Sequence, residues 1–187
     1  MRWKVGRRPE PRPARVSKED NLGIFDVFRA VEATELSVWI RESDSYLSYW
    51  LILSFHAIGM GLLVGASVLI DFRLLGIPPD LPLSPLKKLY TFIWVGFWIQ
   101  VVSGILLLIA YPAKSLTNPD FYLKLLLIAV GLVLMQRIKK SVFSDPGLTE
   151  TTMMAKGRTM AIWSLVCWTG AVTAGRLLAY TYTTLTA

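Results

Sequence analysis

The sequence is poor in the residues on which most small catalytic and metal sites depend. It contains one cysteine, Cys167, and one histidine, His56. A single cysteine excludes an intrachain disulfide, and its position in an apolar run indicates a packed small residue rather than a reactive thiol. No metal-ligand cluster, phosphate-binding loop, nucleophile motif or internal repeat occurs in the sequence. These absences argue against an enzyme of a common kind.

Acidic residues are outnumbered by basic ones, 13 against 20, which gives a net charge of +7. The basic residues flank apolar runs and form no patch interleaved with aromatics, so lipid headgroups are the favoured partner and nucleic acid is not. The chain is 53% hydrophobic and has a mean hydropathy of +0.48. Both values are typical of an integral membrane protein.

Four long apolar runs predict an all-α, integral membrane four-helix bundle. The bundle is expected over residues 46–182, with spans at about 46–71, 88–111, 119–139 and 159–181. Residues 21–45 alternate apolar and charged positions, which indicates short amphipathic helices lying along the membrane surface. Four spans place both termini on one side, here called side A, and the two longer loops on the opposite side, side B.

Residues 1–20 are predicted to form an extended arm rich in arginine and proline. The first 18 residues hold seven Lys or Arg, one Glu and three prolines, which rule out a continuous helix. The arm lacks the apolar core and cleavage site of a secretory signal, so we expect it to be retained. Composition alone favours a disordered tail. The alternative is docking on other membrane-protein subunits, with Trp3 as an apolar anchor and Arg7, Arg8 and Arg12 contacting acidic groups.

His56 lies near the middle of the first span, where an imidazole is costly unless something bonds it. Gly59, one turn away on the same face, removes bulk beside the ring and leaves room for a flat ligand or a neighbouring side chain. Gly61 and Gly65 form a small-xxx-small pair on the roughly opposite face, which predicts close packing with another helix. This first span is also a candidate contact with other subunits.

Two basic residues, Lys124 and Arg176, are predicted to share the side A half of the membrane with His56. Each would lie roughly two turns, on the order of 8–9 Å, from the midpoint of its helix. Long basic side chains at such positions commonly extend to the headgroups. The alternative is an anion-receiving rim beside His56.

Three functional classes are compatible with these features. The favoured one is a non-catalytic accessory subunit of a larger, energy-transducing or electron-transfer membrane complex, in which His56 hydrogen-bonds to Gln100, Ser103 or a backbone carbonyl. The second is an electron-transfer protein that lies beside a quinone or binds haem b. The third is a small transporter of an ion or metal, for which copper is weakly supported because the methionines are scattered.

The haem hypothesis makes specific demands on few residues. His56 would be the iron ligand, Gly59 would give clearance, and Lys124 and Arg176 would pair with the propionates. Because the chain has one histidine, it could hold at most one haem, which would be five-coordinate or shared between subunits.

Charge bias predicts the orientation. The side B loops hold eight Lys or Arg, whereas the membrane-proximal segment from Glu19 to Ser45 holds seven acids and two arginines. The positive-inside rule therefore places side B in the cytoplasm and the N terminus in the periplasm of a bacterial inner membrane. The arm itself, which is basic, argues for the opposite orientation.

Five stretches resemble an uncharacterised family of bacterial four-helix inner-membrane proteins over about residues 32–180. They are W-I-R-E-S from Trp39, S-F-H-A-I-G-M-G-L-L-V-G around His56, D-F-R-L-L-G from Asp71, N-P-D-F-Y-L-K ending at Lys124, and A-G-R-L-L-A-Y near the C terminus. Phe72 stands where the family usually has the leucine of its D-L-R sequence. The N-terminal arm also differs from the family, whose N terminus is usually short. The resemblance implies the four-helix fold, but it implies no activity. The residues of this chain that match positions recurring in the family are His56, Gly59, Gly65, Asp71, Arg73, Lys124 and Arg176. The histidine-glycine helix alone is also similar to the copper-resistance D membrane domain.

Overall fold

The structure is a computed structural model, and it describes residues 18–42, 47–144 and 147–185. Within those ranges the chain folds into helices joined by short connections, with no strand. The helices are α1 (Lys18–Glu32), α2 (Glu35–Glu42), α3 (Leu47–Leu74), α4 (Leu89–Ala110), α5 (Pro112–Leu116), α6 (Pro119–Val142) and α7 (Glu150–Leu185). A 3-10 turn at Ser84–Lys88 leads directly into α4.

Four of these helices are long and apolar enough to cross a membrane, so the chain is a multi-pass membrane protein. The spans are Tyr49–Leu74, Ser84–Ala110, Pro119–Val142 and Glu150–Leu178. Each has 24 residues or more, and at 1.5 Å rise per residue that exceeds the roughly 30 Å of a hydrocarbon core. The predicted all-α four-helix bundle is confirmed.

The bundle is built from two tight helix pairs, α3 with α4 and α6 with α7, which meet through a contact between α3 and α7. No comparably close contact joins α4 to α6 along these two described helices. Helices α4 and α6 therefore face each other across a cleft. The cleft holds two cavities, one toward side A and one toward side B.

The α3–α4 pair depends on two glycines that allow the backbones to touch. A Cβ built on Gly96 would lie 2.6 Å from the backbone nitrogen of Leu63 and 2.8 Å from the carbonyl oxygen of Gly59. In a membrane, helix association relies on such close packing because lipid provides no hydrophobic drive. Glycine at both positions therefore sets the distance between α3 and α4.

Helix α3 ends in a Schellman motif. Gly76 has a φ of 95°, a left-handed conformation that glycine adopts without steric cost. The amide of Ile77 donates to the carbonyl of Phe72 at 2.9 Å, and the amide of Gly76 donates to the carbonyl of Arg73 at 3.0 Å. These two bonds satisfy carbonyls that the helix end leaves open.

The expected amphipathic helices of the N-terminal segment are present as α1 and α2, and α2 docks on the side A end of α4. The Ser37 hydroxyl donates to the carbonyl of Ile109 at 3.0 Å, and the Arg41 guanidinium donates to that of Ala110 at 3.2 Å. Arg41 also donates to the Glu32 carbonyl at 2.7 Å. A basic side chain on the last carbonyls of a helix is favoured by the helix dipole.

One predicted boundary is wrong, because α7 begins at Glu150 instead of residue 159. The polar composition of residues 150–158 suggested a connecting link, yet Met153, Gly157 and Ala161 are buried at helical spacing. Gly157 lies against Leu74, to whose methyl groups an added Cβ would come within 2.9 Å. The first turns of α7 are thus amphipathic and pack on the end of α3.

The partner-binding prediction for Trp3, Arg7, Arg8 and Arg12 lies outside the described residues. The same is true of most of the predicted arm and of the turn into the first span.

Candidate functional site

The imidazole of His56 is held by two side chains of α4. Its Nδ1 lies 2.9 Å from the Ser103 hydroxyl, and its Nε2 lies 2.9 Å from the side-chain nitrogen of Gln100. The partners expected for His56 were Gln100, Ser103 or a backbone carbonyl, and the structure shows the two side chains. A polar side chain inside a membrane bundle is stabilised by such partners, and the bonds tie α3 to α4.

The direction of each bond follows from Ser103. Its hydroxyl lies 2.6 Å from the carbonyl of Ile99, to which it donates its only hydrogen. The Nδ1–H of His56 therefore donates to Ser103, which leaves Nε2 as the acceptor of a Gln100 amide hydrogen. The Gln100 Oε1 is then the one acceptor of the network without a donor, and it is buried with no hydrogen-bond partner among the described residues.

The side A cavity of the cleft lies directly beside this network. It has a volume of about 300 Å³ and is bounded by α4, α6 and the His56 ring. Its polar members are His56, Gln100 and Lys124, and the rest of the wall is apolar. The sequence-based expectation that Lys124 lies in the same half of the bundle as His56 agrees with this placement.

Arg176 does not join this site. The residue is exposed, whereas Lys124 is partly buried, with its amine 3.6 Å from the Cβ position of Gly175. One turn of α7 thus makes room for Lys124 and directs the next residue outward. Of the two residues proposed for an anion-receiving rim, Lys124 lines the side A cavity and Arg176 does not.

Of the two alternatives for Gly59, a flat ligand or a neighbouring side chain, the structure shows the side chain. A Cβ built there would lie 2.8 Å from a methyl carbon of Ile99 and 3.1 Å from the carbonyl oxygen of Gly96. The space beside Gly59 is filled by α4 and offers no clearance for a flat ligand. Its missing side chain serves the contact between α3 and α4.

The residues proposed for haem do not fit that group. Both ring nitrogens of His56 are bonded within the chain, so iron ligation at Nε2 would displace Gln100. Gly59 is covered by α4, and Arg176 is exposed and does not line the cavity. Among the described residues, no group of three His, Cys, Asp or Glu side chains could hold a metal ion.

Gly61 and Gly65 were predicted to pack against another helix, but they contact none of the other described helices. Both are exposed, and a Cβ built on either would meet nothing within 4 Å. The close intrachain contact lies instead at Gly59 and Gly96.

A polar cluster between α3 and α7 was not predicted from residue patterns, although the family resemblance had marked Asp71 without a role. Asp71 is fully buried, and neither carboxylate oxygen has a hydrogen-bond partner among the described residues. The Ser164 hydroxyl lies beside it but outside hydrogen-bonding geometry. An uncompensated polar group of this kind is costly in a membrane and is a functional candidate. The signal available in the sequence was an acid within the last turn of the first span.

Arg73 fastens the side B ends of α3 and α7 together. Its guanidinium forms an ion pair with Glu150 at 3.0 Å and contacts the sulfur of Met154 at 3.3 Å. Its Nε donates to the carbonyl of Leu81, and Glu150 accepts from the backbone amide of Leu83 at 3.0 Å. These contacts hold the loop of residues 75–83, which follows α3, against the start of α7. Arg73 therefore has a structural role.

No family model, curated protein or solved structure matches this chain. The resemblance to the four-helix inner-membrane family therefore stays a prediction. The functional argument depends on the geometry of the chain itself.

Proposed function

We propose that this protein is a non-catalytic subunit of a larger membrane complex of the energy-transducing or electron-transfer type. The observation that carries the proposal is the state of His56. The only histidine of the chain uses both ring nitrogens to join α3 to α4, so it acts in helix packing and offers no free nitrogen for chemistry.

Two surfaces are available for the other subunits. The outward face of α3 carries Gly61 and Gly65 with open space around them, which suits the backbone of a helix from another chain. The basic, proline-rich arm is the second. An extended basic arm builds no core of its own, and a fixed acidic groove on a partner would offset the entropy of ordering it.

The experiment is co-purification of the tagged protein from its native membrane in a mild detergent. Deleting residues 1–18, or replacing Gly61 and Gly65 together with leucine, should leave the bundle folded and reduce the recovery of the other subunits. Ala129→Leu is the matched control, because Ala129 is exposed on α6, away from the proposed surface. Unchanged recovery of the same subunits with both altered chains would refute the proposal.

We further propose a bacterial inner membrane with side B in the cytoplasm. Seven of the eight basic residues counted for side B are exposed, namely Lys87, Lys88, Arg137, Lys139, Lys140, Lys156 and Arg158. Such residues near the span ends favour the cytoplasmic face. In a Cys167→Ala background, a cysteine at Ser17 should react with an impermeant maleimide in intact cells, and one at Gly147 should not. The reverse labelling pattern would invert the orientation.

A further inference from the structure

The side B cavity of the cleft has a wall that is both basic and polar. It lies between α4 and α6 and has a volume of about 340 Å³. Lys139, Lys140 and Gln136 of α6 line it, together with Ser144 just beyond the end of that helix. Neither lysine forms an ion pair with another described residue. The cavity wall therefore carries two positive charges that no described acid balances.

Tyr90 of α4 closes the inner side of this cavity and positions one of the two lysines. The tyrosine is 4% exposed, and its hydroxyl donates to the carbonyl of Met135 on α6 at 3.0 Å. The amine of Lys139 lies 5.3 Å from the centre of the Tyr90 ring, which is within the range of a cation–π interaction. This contact keeps the Lys139 amine at the cavity wall, although the residue as a whole is exposed.

The cavity lies at the level of the side B headgroups. Lys139 and Lys140 are in the last turn of α6, and Tyr90 is in the first turn of α4. Trp94, one turn further into the membrane, also lines the cavity and packs edge-on against Phe97 at 5.5 Å. Tryptophan is enriched at this depth because its ring is apolar and its N–H is polar. A ligand anchored at the lysines would therefore extend into hydrocarbon.

The cleft continues inward from this cavity along apolar residues. Ile93 and Leu132 line the side B cavity, and Phe97 and Ile128, one turn deeper on the same two helices, line the side A cavity. Since residues four apart share a helix face, the two cavities follow one another along one cleft. The rise from Lys139 to Ile128 is about 17 Å, which is close to the roughly 15 Å of hydrocarbon in one leaflet. The cleft is long enough for an acyl chain.

We propose that the cleft between α4 and α6 binds one anionic phospholipid of the phosphatidylglycerol class from the side B leaflet. Its phosphodiester accepts hydrogen bonds from Lys139 and Lys140. One acyl chain follows Ile93 and Leu132 into the cleft. This inference goes beyond the proposed subunit role and depends on the cleft alone.

The charges of the wall select the headgroup. The ammonium of a phosphatidylethanolamine would lie beside Lys139 and Lys140, and no described acid lines the cavity to receive it. A glycerol headgroup carries no positive charge, and its hydroxyls suit the amide of Gln136 and the hydroxyl of Ser144. The site should therefore prefer the anionic lipid over a zwitterionic lipid with the same acyl chains.

The test is native mass spectrometry of the full-length protein, delipidated in a mild detergent. The protein is mixed with equal amounts of dioleoyl phosphatidylglycerol and dioleoyl phosphatidylethanolamine. It should retain one phosphatidylglycerol per chain about tenfold more tightly than the other lipid, as expected for one charge-assisted hydrogen bond. Glycerol 1-phosphate at the same concentration has no acyl chain and should not displace the lipid.

A double variant tests the basic wall. Lys139→Gln with Lys140→Gln should weaken phosphatidylglycerol binding at least tenfold. The matched control is Lys87→Gln with Lys88→Gln, because those two lysines are exposed on the same side of the membrane and do not line the cavity. Both proteins lose two positive charges, so a difference between them identifies the cavity and excludes a general effect of surface charge.

A second variant fills the cavity without changing its charge. Gln136→Trp should reduce phosphatidylglycerol binding, because Gln136 lines the cavity. Since the residue is exposed, its replacement should not prevent folding, which circular dichroism checks. The control is Val133→Trp, because Val133 is 50% exposed on the same helix and lies outside the cavity.

Four results would overturn the inference. They are equal retention of the two lipids, equal loss of binding in the two double-lysine variants, wild-type binding by a folded Gln136→Trp protein, and displacement of the lipid by glycerol 1-phosphate. Such displacement would mark a site for a soluble phosphate instead.

Discussion

Replacing Gly96 by alanine should destabilise the bundle more than any other glycine-to-alanine change in α3 or α4. The added methyl would lie 2.6 Å from the Leu63 nitrogen and 2.8 Å from the Gly59 carbonyl oxygen. Both neighbours are backbone atoms and cannot rotate away. Since ordinary contacts of this kind need about 3.5 Å, α3 and α4 would have to separate by about 1 Å.

The same movement would break the His56 network. Two bonds of 2.9 Å would lengthen to about 3.9 Å, beyond the usual limit of about 3.2 Å. Overpacking costs about 1–3 kcal/mol, and each side-chain hydrogen bond within a membrane contributes on average about 0.6 kcal/mol. The expected loss of unfolding free energy is therefore about 2–4 kcal/mol relative to a control.

The matched control is Gly61→Ala, because a Cβ there meets nothing within 4 Å. Both changes share the gain in helix propensity of about 1 kcal/mol, so their difference isolates the clash. Gly59→Ala should fall between them, since one of its neighbours is a movable Ile99 methyl carbon at 2.8 Å. Unfolding free energies from denaturant titration in detergent micelles provide the measurement. Equal stability of the Gly96 and Gly61 variants would show that α3 and α4 are not held at this distance.

Three further predictions concern the ends of the bundle and its buried acid. Arg73→Met should lower the unfolding free energy by about 1–3 kcal/mol and expose residues 75–83 to protease, whereas the control Arg137→Met should do neither. If protease does not cut residues 75–83 in the Arg73 variant, Arg73 does not hold this loop in place. Asp71→Asn should change the unfolding free energy by less than about 1 kcal/mol, because neither carboxylate oxygen has a partner to lose, and a larger loss would reveal a bonded carboxylate. Arg41→Met should speed hydrogen exchange in residues 35–42 and not in α6, and unchanged exchange would show that α2 is held without its bond to Ala110.

Much of the architecture could be predicted from residue patterns, because each span must form a helix in lipid independently of the other spans. A run of more than 20 apolar residues must form a helix to satisfy its backbone in hydrocarbon, whatever its neighbours are. The start of α7 was missed for the opposite reason. Its polar first turns bury Met153, Gly157 and Ala161 along one side, with Gly157 against Leu74 of α3, and the sequence does not show which element covers that side.

For the candidate site, the sequence by itself determined that His56 needed a partner within the membrane and offered Gln100 and Ser103 as candidates. The tertiary structure decided which glycines those helices use. Sequence spacing placed Gly59 on one face of α3 and Gly61 and Gly65 on the other, but only the rotation of α3 against α4 shows that Gly59 is buried and the other two are exposed. That rotation is set by side-chain packing along both helices at once, and sequence spacing on a single helix contains no information about it.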